Sequence, residues 1–183
     1  MTSTRGVAPD GTPGMAVAVA AGIAAELRVA ISEALPWLVA VPEPESRRRP
    51  RPGGWSPREI VGHLIDSASN NHGRFVRGAL EESLVFATYD QEAWIALQRY
   101  QDQGWSALLD RWVAFNEQVG VAIEQIPDAA LERPRREHNF DRIAWKTVAA
   151  SEPTTLEYFI RDYIGHLRHH LAQIAAIVSP RPR

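Results

Sequence analysis

Residues 154–178 read TTLEYFIRDYIGHLRHHLAQIAAIV, and Leu156, Phe159, Tyr163, His166, His170, Ile174 and Ile177 recur through them at steps of three and four. With 3.6 residues per turn, that spacing places all seven on one face of an α-helix. Thr154 with Glu157 offers a capping box at its start, and Ser179, Pro180 and Pro182 end it beyond Val178. The face is apolar except at His166 and His170, one turn apart.

The same period continues upstream. Ser56 predicts an N-cap, Pro57 the first helical position and Glu59 the reciprocal capping residue of a helix running to about Leu80. Ile23, Leu27, Ile31, Leu35 and Leu38 predict a helix over Ala16 to Val39, with Pro36 able to kink its last turn. Leu108, Leu109, Trp112, Phe115, Val119 and Ile123 predict a third long helix over Trp105 to Ile126, stopped by Pro127. A short helix is expected from Asp90 to Arg99. Residues 41–54, rich in Pro and Gly, read as a non-helical connection, and residues 128–153 as an irregular one holding a hairpin or a turn of helix. The fold class expected is therefore all-α, a four-helix bundle with long connections, over residues 15–179. Residues 1–14 and 180–183 read as tails, the first of them disordered.

His63 lies on the inward stripe of its helix with Ile60, Leu64 and Ser67, and an antiparallel pairing would bring it to the turn that carries His166 and His170. Three neutral imidazoles make an open site for one divalent transition metal. The i,i+4 spacing matches that of H-E-x-x-H, but H-L-R-H-H has no glutamate beside its first histidine and is not that motif. From spacing alone the trio reads equally as ligands or as hydrogen-bonded core histidines. His72 is about 180° around its helix from His63, His169 lies off the core line, and His138 falls in the irregular connection. Asp66, Asp162 and Gln173 stand three or four residues from a candidate ligand, within reach of the ring nitrogen that faces away from the metal. Asn70 and Asn71, poor helix formers in mid-helix, suggest a polar cavity, and Tyr89 to Trp94 a segment that either covers one end of the bundle or caps a helix through Asp90.

With no cysteine among 183 residues, disulfides, thiolate-held metals and a protein-borne thiol nucleophile are excluded. Net charge is −2 and Lys146 is the single lysine, so the basic run Arg47, Arg48, Arg49 and Arg51 reads as a solvated loop and not as a nucleic-acid surface. The apolar run Met15 to Ala25 lacks the basic cluster of a signal peptide. No segment reaches the ~20 apolar residues of a membrane span. A cytoplasmic protein is expected.

The blocks WSPREIVGHLIDSASNNHGRFVR, YDQEAW and LEYFIRDYIGHLRHHLAQI, in this order and separation, resemble the DinB-like superfamily of four-helix bundles, nearest its branch of YfiT-type metal-dependent hydrolases. The resemblance covers about Ala16 to Val178. It implies that His63, His166 and His170 are metal ligands, that the metal is zinc or nickel, and that the chain forms a homodimer. It implies a small-molecule substrate attacked by a metal-activated water. Alternatively, a low-molecular-weight thiol cosubstrate of the mycothiol or bacillithiol type is transferred onto an electrophile. A non-catalytic metal-binding bundle is the third expectation.

Overall fold

The computed structural model describes residues 18–179. The expected tails, and the first two residues of the first expected helix, lie outside that range. Four long helices carry the fold: α1 (Ala18–Val39), α3 (Pro57–Leu80), α5 (Trp105–Glu124) and α8 (Leu156–Val178). Between them sit α2 (Glu43–Ser46), α4 (Gln91–Gln98), a 3₁₀ turn (Tyr100–Asp102), α6 (Asp128–Glu132) and α7 (Phe140–Ile143). The described residues contain no strand, only isolated bridges from Leu84 to His138 and from Arg135 to Thr154.

Helices α1 and α3 each pack against both α5 and α8, so the order around the bundle is α1, α5, α3, α8. Consecutive long helices α1 and α3 lie diagonally opposite, which is why a connection of some length joins them. A Cβ on Gly78, near the end of α3, would come 2.9 Å from Leu156 at the start of α8, whereas His63, near the start of α3, meets His170 well along α8. These two helices are thus antiparallel. The apolar stripes close on one core that includes Leu27, Leu64, Phe75, Trp112, Phe159 and Leu167.

The α3 start follows its sequence signals. The Ser56 Oγ accepts from the Glu59 amide at 3.3 Å, and the Glu59 carboxylate accepts from the Ser56 amide at 2.9 Å. Three expectations need correction. The cap of α8 is Thr155, whose hydroxyl accepts from the Tyr158 amide at 3.0 Å; Thr154 pairs its backbone with Arg135 instead. Residues 43–46 are helical, because Pro42 and Pro44 suit the first turn of a helix and only break later ones. Phe115 is 38% exposed, and Asn116 takes the inward position. Steps of four from Trp112 and three to Val119 fit Asn116 as well as steps of three and four fit Phe115, and the Asn116 Oδ1 receives the buried Tyr163 hydroxyl at 2.5 Å. One close approach bears on the site: a Cβ on Gly62 would fall 2.1 Å from the Tyr100 ring. Only glycine there lets Tyr100 lie flat on α3. No helix among the described residues is long and apolar enough to cross a membrane.

Candidate metal centre

The register of α8 projects His166 and His170 from one face, and the antiparallel α3 delivers His63 opposite them. The Nε2 atoms of His63 and His166 lie 3.3 Å apart, and those of His166 and His170 2.9 Å apart. One ligand atom from each of the three falls within 4.8 Å of the others. Three nitrogens 2.0–2.1 Å from a shared tetrahedral ion would stand about 3.3 Å apart. The cluster already approaches that spacing.

Proton accounting supports the fit. The Nδ1–H of His170 donates to Oε1 of Gln173 at 2.8 Å, which leaves a lone pair on Nε2 of the neutral ring. His166 Nε2 is approached by both other rings, yet one nitrogen holds at most one proton. The His63 Nδ1, on the far side of its ring, is buried with no partner among the described residues and stays outside this accounting. A cation at the centre satisfies all three lone pairs at once. Burial and, secondarily, the neighbouring imidazoles push His63 and His166 down to about 3; burial takes His170 down to about 4. All three are neutral near pH 7, the form that ligates metal.

Two tryptophans wall the cluster. The Trp55 ring lies 5.1 Å from that of His63 and 6.3 Å from that of His170; Trp145 lies 6.3 Å from His166 and 5.2 Å from His169. Beside the histidines opens a cavity of about 340 Å³, whose walls include Asn71, Arg74, Tyr89, Phe159 and Asp162.

The three residues expected to support the ligands take different places. Gln173 touches His170 and continues through its amide nitrogen to His169 at 3.0 Å. Asp66 makes no hydrogen bond to His63. Its Oδ1 accepts from the Tyr100 hydroxyl at 2.6 Å and from Gln98, because the α4–3₁₀ segment packs over Gly62 and covers that side of α3. Asp162 accepts the backbone amides of Trp145 and Lys146, both at 2.8 Å, and so holds the loop that presents Trp145 to His166. Desolvation raises both carboxyls above their ordinary range. His138 stands apart, its Nε2–H donating to the Glu152 carbonyl at 2.7 Å within the long connection. Asn71 is buried at the cavity wall, while Asn70 turns back to the Asp66 carbonyl. Asp90 caps α4 and Trp94 is 36% exposed, so the segment meets the cavity through Tyr89 and Gln91. Sequence reasoning missed Trp55, Trp145 and Arg74. Trp55 carried a readable signal, standing immediately before the Ser56 cap and hence at the mouth of α3.

The DinB superfamily pattern matches residues 26–174. A Bacillus subtilis protein, "Putative metal-dependent hydrolase YfiT", is 31% identical over 134 residues, covering 69% of this chain and 66% of the relative. A Bacillus licheniformis protein of the same description is 31% identical over 133 residues, with the same coverage. The alignments thus span just under two thirds of these relatives. The solved structure of B. subtilis YfiT, described as having an unusual four-helix bundle topology, superposes with a TM-score of 0.61 at 23% identity, over 93% of this chain and 91% of that one. The extent of the match, from the middle of α1 almost to the end of α8, makes this chain a member of the DinB superfamily.

Proposed function

We propose that the protein is a metal-dependent hydrolase acting on a small molecule, with His63, His166 and His170 as ligands of one zinc or nickel ion. The observation that carries this reading is the meeting of three Nε2 atoms beside a cavity. An ion bound there supplies Lewis acidity and lowers the pKa of bound water. The chain's own contribution is positional. Gln173 fixes His170 with Nε2 inward, Asp162 holds the Trp145 loop, and Trp55 and Trp145 restrict water around the rings. The relatives' description as metal-dependent hydrolases supports the reaction class. A protein that works as the homodimer expected of the family would sediment at twice the chain mass.

Elemental analysis of purified untagged protein, beside His63→Ala and the double variant His166→Ala/His170→Ala, tests the ligand set. One ion per chain, lost in both variants with helicity retained, is expected. Metal-loaded protein is then expected to turn over esters or amides without added thiol. Thiol-dependent loss of an electrophile such as monochlorobimane would instead assign the site to thiol transfer. No ion after loading with zinc and nickel would return the histidines to the core and remove the enzyme reading.

A further inference from the structure

Arg74 is 4% exposed and lines the cavity beside the histidine cluster, yet no carboxylate lies within 4.0 Å of it among the described residues. Its Nη2 donates to the Ala87 carbonyl at 2.6 Å and its Nη1 to Oδ1 of Asn71 at 3.3 Å. A guanidinium carries five N–H donors, so three remain. Burying a cation without a counter-charge is costly, and protein structures keep one where it meets a partner.

The other buried arginines stand away from this cavity. Arg58 pairs with Glu43. Arg135 donates to the Gly78 carbonyl at 2.9 Å in the last turn of α3, where the helix dipole is negative; its Nε and Nη1 are buried without partners among the described residues, but it lines none of the cavities described. Arg74 sits a turn and a half before that end and faces the cavity. The cavity wall also holds Arg142, exposed at the rim, and a single acid, Asp162, whose two oxygens are taken by backbone amides. The Arg74 Cζ also stands 6.0 Å from the centre of the Tyr89 ring, a neutral partner, and desolvation lowers its pKa. Ile143, Ala144, Trp145 and Phe159 line the cavity as well, and offer an apolar bed for a carbon skeleton.

We propose that the cavity binds a small, partly apolar carboxylate, its anionic end on the buried guanidinium of Arg74 and its carbon skeleton directed towards the histidines. A planar carboxylate matches the guanidinium fork in shape and in unit charge. The inference rests on the reading of this cavity as the substrate site of the metal centre. Its test is therefore run on full-length protein in two states, zinc-loaded and stripped by a chelator.

Calorimetric titration with phenylacetate and with its neutral amide, phenylacetamide, reads the preference directly. The acid is expected to bind about tenfold or more tightly than the amide in both states. Arg74→Gln removes the charge while keeping a polar N–H side chain, and is expected to abolish the preference; Arg74→Lys is expected to retain part of it. Equal binding of acid and amide, or binding of neither, overturns the proposal. So does a preference confined to zinc-loaded protein that survives Arg74→Gln, because the carboxylate would then sit on the ion. Should Arg74→Gln fail to fold, the acid–amide comparison in stripped wild-type protein decides alone. A preference that persists in protein unable to retain metal supports the carboxylate site while removing the hydrolase reading.

Discussion

At the residue scale, the histidine pair of α8 was legible because two polar rings a turn apart interrupted an otherwise apolar stripe. Their supporting residues were only partly legible. Proximity along a helix nominated Asp66, Asp162 and Gln173 alike, but the choice among them depended on segments distant in sequence: Tyr100 claims Asp66, and the backbone of residues 145–146 claims Asp162. Of the three, Gln173 alone reaches a ring of the histidine cluster. Gln173→Leu is expected to weaken zinc affinity by roughly 10–100-fold, the usual cost of losing a group that orients a ligating imidazole, as measured by competition with a chromogenic chelator. Asp162→Ala is expected to act otherwise. It strips two amides of their acceptor and should lower stability by about 1–3 kcal/mol in urea unfolding, with a smaller effect on zinc affinity.

The four long helices were legible as elements from periodicity alone, and the start of α3 to the residue, since Ser56, Pro57 and Glu59 each satisfy a separate requirement of a helix N-terminus. Ser56→Ala is expected to cost about 1 kcal/mol of unfolding free energy in chemical denaturation. The α8 cap was misplaced by one residue because adjacent threonines offer the same hydroxyl, and a bridge to Arg135, invisible in local sequence, removes Thr154 from the choice. Asn116 was missed for a related reason: its polarity argued for the surface, whereas a tyrosine on another helix needed it inside. The contact of α3 with the 3₁₀ turn carries its own test. Gly62→Ala inserts a methyl where the Tyr100 ring lies, and is expected to destabilise by about 1–3 kcal/mol or more while loosening the Tyr100 hydroxyl from Asp66. A thermal melt reads the first effect and tyrosine hydroxyl exchange the second.

For the molecule as a whole, the histidine cluster exists only when α3 and α8 pair, since His63 and His166 are separated by 103 residues. Metal that binds the folded chain alone therefore raises the melting temperature, with about 2.7 kcal/mol expected at a free-metal concentration a hundredfold above Kd. The metal-free chain should respond to acid with a definite sign. The three histidines fall from the ordinary 6.5 to about 3, 3 and 4 on folding, so between those values the unfolded chain binds more protons. Their contribution is complete above pH 6.5 and is lost as pH falls, down to about 4 for His170 and about 3 for His63 and His166. Asp66 and Asp162, raised by burial, oppose this in part. Urea midpoints of chelator-treated protein are expected to decline from pH 7 to 5, and to decline less when all three histidines are replaced by glutamine. The two indoles against the cluster have a further consequence. Emission from Trp55 and Trp145 originates within a few ångströms of wherever an ion settles, so open-shell nickel should darken it and closed-shell zinc leave it bright. Indole emission would thus report which of the two ions, once added, had settled at the cluster.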